Sequence, residues 1–197
     1  NAIEEMKLIA SGKLVFLQFP WISFQVQTFG IPIGSVTPLL GRDKTGKSRL
    51  VMTFVLNWVM TGVPTLVYAF EDGKRRYIQN LAATLGEYDG FGMRRRPTDT
   101  YIENAEKCMR KIGEFALTVI EEGRTVEQMV NEIGAFRRKH KIPIDKGFPV
   151  VVDGWKDIIE SGGKENRTQS ENHMFEHLKK GALRHNVGVL SIEHPHD

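Results

Sequence analysis

From residue 35 onward the apolar positions alternate between two rhythms. Short, nearly continuous apolar runs at residues 36–40, 65–70, 116–120, 149–152 and 187–192 predict buried strands. Between them, apolar residues recur at helical spacing: Leu50, Val51, Phe54, Val55, Trp58 and Val59 mark one helix. Further helices are predicted over residues 75–85, 105–115 and 172–184, and Thr125 caps another that runs to about Lys139. In that helix Val126, Met129, Val130, Ile133 and Phe136 share one face. Strands and helices in this alternation predict an α/β fold, a parallel central sheet flanked by helices on both faces. Pro38 disagrees locally, because proline is rare inside central strands, and a bulge or irregular strand end is expected there. Residues 1–34 read differently. A short helical pattern (Ile3, Met6, Lys7, Ile9, Ala10) precedes an aromatic-rich, extended stretch over residues 14–29. This part is expected to be a linker or extension packed on a core that occupies residues 35–197.

Composition narrows the class. At 197 residues, 41% hydrophobic and 26% charged, the chain is sized and composed as one globular domain. It contains no run of 18 apolar residues and no signal-peptide pattern, so a membrane span is excluded and an intracellular place is expected, in the cytoplasm or nucleoid of a prokaryotic or phage-infected cell. Cys108 is the single cysteine, which excludes an internal disulfide and any multi-cysteine zinc site. A net charge of +3 permits a nucleic-acid partner without requiring one. The basic runs Arg94-Arg95-Arg96 and Arg137-Arg138-Lys139-His140-Lys141 are read as solvated loops or helix ends.

The candidate chemistry begins where the first strand meets the first long helix. Gly41-Arg42-Asp43-Lys44-Thr45-Gly46-Lys47-Ser48 is a complete GxxxxGK[ST] phosphate loop. Its glycines let successive N–H groups turn inward toward phosphate oxygens. Lys47 would set an ammonium on the β- and γ-phosphates, and the Ser48 hydroxyl would join a Mg²⁺ shell. ATP and Mg²⁺ are therefore the expected cofactors. Other strand ends carry polar groups, where a parallel sheet gathers its ligands. The second strand ends in Glu71-Asp72, and Glu71 is either the base that activates a water or a cap on the following helix. The strand ending in Asp153 has the form of a Walker B strand, its carboxylate directed to Mg²⁺-bound water or to Ser48. The last strand ends in Glu193-His194, where a polar group could contact the γ-phosphate or be structural. Pro195 between His194 and His196 argues against a metal pair there. The polar loop at residues 161–170 carries Lys164 and Arg167, equally suited to gripping a nucleic-acid backbone or to a plain surface loop.

In this order the motifs resemble the RecA-like ATPase domain of DnaB-type hexameric replicative helicases, whose relatives include phage primase–helicases and the mitochondrial helicase Twinkle. The similarity runs from Gly30-Ile31-Pro32-Ile33-Gly34 through the phosphate loop, Glu71, the strand and helix at residues 117–139, and Asp153. It is most specific over residues 162–189, with Glu165-Asn166-Arg167, Leu178-Lys179 and Asn186-Val187. The resemblance implies a RecA-like P-loop NTPase that couples ATP hydrolysis to movement on single-stranded DNA during replication, as a homo-hexameric ring. It implies that Lys47 and Ser48 hold phosphates and Mg²⁺, Glu71 is the catalytic base, Asp153 supports the metal and His194 senses the γ-phosphate. Lys164 and Arg167 fall in the first DNA-binding loop of the family's central channel. Lys44 departs from the small or apolar residues usual at that place, Gly154-Trp155 replaces a Tyr-Leu pair, and residues 86–113 match nothing specific. The second DNA loop and the arginine finger are expected beyond Asp197. Rival classes with the same core are a RecA/RadA-type recombination ATPase, a plasmid replication ATPase, which often carries a Glu-Asp pair like Glu71-Asp72, and a KaiC-like regulatory ATPase without a DNA track.

Overall fold

A computed structural model describes residues 16–42, 44–89, 98–155, 158 and 167–193, with the backbone alone for 167–171. The expected helix at residues 3–10, Asp43, the Arg94–Arg96 run, Lys164 with most of its loop, His194 and His196 lie outside these residues. The elements are β1 (Phe16–Leu17), α1 (Ile22–Thr28), β2 (Ile31–Pro32), β3 (Ser35–Leu40), α2 (Lys47–Met60), β4 (Thr65–Ala69) and α3 (Gly73–Leu85). There follow α4 (Asp99–Gly113), β5 (Leu117–Ile120), α5 (Val126–Lys139), β6 (Pro149–Asp153), α6 (Arg167–His185) and β7 (Gly188–Glu193).

Strands β3 to β7 form a five-stranded sheet in the order β3-β7-β6-β4-β5, and all its pairings are parallel. Every residue of β4 and β6 is buried, as apolar runs covered on both faces require. Alternation along the strands divides the core in two. Val67, Ala69, Val151, Leu190 and Ile192 face α2, α3 and α4. Leu66, Tyr68, Val150, Val152 and Val189 face α5 and α6. No helix among the described residues is long and apolar enough to cross a membrane.

Two local expectations are corrected. Pro38 causes no bulge: β3 pairs with β7 in unbroken register from Ser35↔Gly188 to Leu40↔Glu193. Among the described strands β3 is at the sheet edge, where only one side enters the ladder and a missing N–H is tolerated. The stretch after Leu14 is not extended throughout, because Ile22–Thr28 is a helix. Phe29 ends it in the left-handed region at φ 60°, and the Gln25 side chain bridges Phe19 N–H (2.8 Å) and the Phe29 carbonyl (2.6 Å). The aromatic residues of this segment are spent on packing: Phe19, Trp21 and Phe24 surround Phe54 of α2 at 4.4, 5.8 and 6.1 Å between ring centroids. The Trp58 indole donates to the Gln18 carbonyl at 2.7 Å, which fastens this segment to α2.

The α5 helix begins on the capping box that Thr125 announces, with Gln128 N–H on the Thr125 hydroxyl and Thr125 N–H on the Gln128 side chain. Its other end departs from the solvated reading. Arg138, Lys139 and Lys141 are exposed, but Arg137 is 7% exposed. The Arg137 guanidinium donates to the carbonyls of Ile142, Pro143, Lys146, His185 and Asn186, and lies over the Phe148 ring. It satisfies carbonyls at the end of α6 and in the loop between α5 and β6, which is why one cation of the run turns inward. Burial, and then the basic side chains nearby, lower the pKa of His140 and His185. Arg137→Ala leaves these part-buried carbonyls without their donor and is expected to cost about 2–4 kcal/mol of unfolding free energy. Arg138→Ala is expected to stay within about 0.5 kcal/mol, and urea denaturation of the two variants checks the difference.

Candidate functional site

The phosphate-loop residues sit where β3 runs into α2, at the carboxyl end of the sheet. Lys44 and Gly46 both take the left-handed region, at φ 59° and 91°, so the chain coils tightly before the helix starts. Gly46 is the N-cap of α2 and has no side chain to spend on the first helical N–H groups, and the first turn holds no acidic residue. Such an end offers its N–H groups and the positive end of its dipole to an anion. The Thr45 hydroxyl donates to the Arg42 carbonyl at 2.8 Å, and the Lys47 ammonium donates to the carbonyls of Gly41 and Arg42. Lys47 is 8% exposed, folded back over its own loop. A Cβ on Gly41 would lie 3.2 Å from the Lys47 side chain, so bulk there would push on that lysine. Beside Ser48 a cleft of about 250 Å³ opens between α2 and α3, walled by Arg49, Met52, Asn80, Thr84 and Tyr88.

The sheet order decides what stands near the loop. β7 lies between β3 and β6, so the strand leading to His194 separates the phosphate-loop strand from the one ending in Asp153. Glu193 is the register partner of Leu40 and accepts from the Ser191 hydroxyl at 2.9 Å. Asp153 is 1% exposed and shares the α2-facing side of β6 with Val151. β4 is the neighbour on the far side, with Ala69 opposite Asp153. Past the end of β4, Phe70 N–H and Glu71 N–H both donate to the Asp153 carbonyl, at 2.9 and 3.3 Å. These bonds hold the exposed Glu71 beside the Asp153 strand end. Asp72 turns into its own helix, 3.2 Å from Arg76 and 3.2 Å from the Asn80 amide.

Two residues at this end escaped the sequence reading. Glu121, just past β5, accepts from Lys74 N–H at 2.8 Å and so satisfies a first-turn donor of α3. A carboxylate after an apolar strand is the same signal that drew notice to Glu71. Tyr77, in α3, is fully buried in the α2-facing core, and spacing alone marks it only as core. Of the weaker candidates, Arg167 begins α6, with only its backbone described.

Among the described residues no cluster of three or more His, Cys, Asp or Glu side chains could hold a metal ion. A hydroxyl and one buried carboxylate suit Mg²⁺, which keeps several waters and takes phosphate oxygens as its other ligands, better than a fully ligated metal. Ser48 and Asp153 fit that description.

No family model and no curated protein matches the sequence. Two solved structures are similar to the chain. One is a DnaB-like replicative helicase, described with its interactions with primase, at TM-score 0.82 and 17% identity, covering 98% of this chain and 47% of that one. The other is described as an ATPase domain, at TM-score 0.80 and 18% identity, covering 98% of this chain and 68% of that one. The chain thus spans about half the length of the first. The fold is that of DnaB-type, RecA-like ATPase domains: a parallel sheet of five strands flanked by helices on both faces.

Glu121→Ala is expected to free Lys74 N–H, cost about 1 kcal/mol and speed amide exchange at the start of α3 about fivefold. Hydrogen exchange resolved to Lys74 and Arg75 checks this.

Proposed function

We propose that this chain is the ATP-hydrolysing motor domain of a DNA helicase, which works as a hexameric ring and moves along single-stranded DNA during replication. The observation that carries the reading is the meeting of three features at one end of the sheet. A phosphate loop opens α2, a buried carboxylate ends β6, and Glu71 is tied by its main chain to that same strand end. The similar solved structures support it with a DnaB-like helicase and an ATPase domain of this shape.

On this reading the α2 N–H groups and Lys47 bind the β- and γ-phosphates, and Lys47 exchanges its carbonyl partners for phosphate oxygens. Gly41, Arg42, Asp43, Lys44, Thr45 and Gly46 shape the cradle. Ser48 and Asp153 would hold Mg²⁺, which would offset charge on the transferring phosphoryl group. Glu71 orients a water whose oxygen bonds to the γ-phosphorus as the bond to the β-phosphate oxygen breaks. The water's proton passes to Glu71, and ADP and phosphate are released. His194, next in sequence after β7, reads the γ-phosphate, and Lys164 and Arg167 contact the DNA backbone.

Lys47→Ala removes charged hydrogen bonds to phosphate and is expected to weaken nucleotide binding roughly 30- to 150-fold, about 2–3 kcal/mol, measured by titration calorimetry. Glu71→Gln is expected to bind ATP as tightly as the parent while kcat falls by about 10² to 10⁴. Single-stranded DNA should stimulate hydrolysis by the full-length protein, and a forked duplex should be unwound. Hydrolysis indifferent to DNA would point to a regulatory ATPase, and stimulation without unwinding to a recombinase.

A further inference from the structure

Tyr77 is 1% exposed, and its hydroxyl has no hydrogen-bond partner among the described residues. A buried hydroxyl in that state costs free energy, and phenylalanine would fill the same space without the cost. Its place is specific. Tyr77 packs in the α2-facing core with Ala69 and Val151. Asp153 shares the strand face of Val151 and is the register partner of Ala69, so its carboxylate is directed to the same layer as the phenol. Asp72 is the other carboxylate near the ring, and its two oxygens already face Arg76 and the Asn80 amide. The phenol hydroxyl carries a proton that it can donate to a carboxylate oxygen.

We propose that the Tyr77 hydroxyl positions the Asp153 carboxylate when nucleotide and Mg²⁺ are bound, donating to one oxygen and leaving the other for the cation's water. This inference rests on the nucleotide-site reading above. Tyr77 touches neither nucleotide nor metal and acts through Asp153, as partners of metal-binding carboxylates do. The unmet hydroxyl is then a cost that nucleotide and Mg²⁺ binding removes.

The test compares the full-length protein with Tyr77→Phe. Without nucleotide, the variant is expected to unfold at the same or a higher temperature. In EDTA its ADP affinity should match the parent's. The Mg²⁺ concentration that gives half of the ADP-dependent thermal shift should rise about tenfold, with the same displacement in the Mg²⁺ dependence of ATP turnover. An unchanged Mg²⁺ requirement would overturn the role of Tyr77 while leaving the nucleotide site standing. A lower unfolding temperature without nucleotide would also overturn it, because the hydroxyl would then serve the core. So would an equal loss of ADP affinity in EDTA, which would make Tyr77 a nucleotide contact. If the parent itself shows no Mg²⁺-dependent response to ADP or ATP, the nucleotide-site reading fails, and this inference with it.

Discussion

The main-chain carbonyl of Asp153 is the joint on which the candidate site depends. It closes the β6 strand and accepts from both Phe70 and Glu71, so the end of β4 cannot move without the end of β6. Strand pairing sets the spacing: Ala69 opposite Asp153 on one side, Ile192 opposite Asp153 on the other. A carboxylate held this way needs no loop to find its place. The phosphate-loop residues are placed by the same ladder, because β3 is registered on β7 and β7 on β6.

The two ends of the sheet have different tasks. At the carboxyl ends of the strands, α2 starts without a side-chain cap, and the Tyr77 hydroxyl has no hydrogen-bond partner among the described residues in the layer that holds a buried carboxylate. At the opposite end Arg137 spends a whole guanidinium on carbonyls at the end of α6 and in the loop before β6. One end is locked so that the other can carry groups that are costly to keep. That contrast fits the general pattern in which unsatisfied or strained groups gather at functional sites.

Some features were legible because they are local. The Thr125 and Gln128 capping box, the strand before Gly41 and the helix after Gly46 each follow from a few consecutive residues. Others were not. Ile22, Phe24 and Val26 suit a strand by propensity, yet they lie in α1, because Phe24 packs on Phe54 and Gln25 ties the helix down. Arg137 sits in a run that reads as solvated, and the converging carbonyls, those of His185 and Asn186 distant in the chain, account for its burial. Pro38 looked like a defect because the sequence does not say which strand is at the edge. The Tyr77 position was readable as core, but its unused hydroxyl was not.

By itself the sequence determined the alternation of strands and helices and the chemical inventory at the strand ends, since both depend on periodicity and on residues adjacent in the chain. Tertiary structure alone decided the strand order, with β7 entered between β3 and β6, and therefore which strand ends are neighbours. It also decided that Asp153 faces α2, that Glu121 rather than a local residue meets Lys74 N–H, and that Tyr77 lies in the same layer as Asp153. The reason is the same in each case: pairing between parallel strands joins residues far apart in sequence, and no local pattern records the partner.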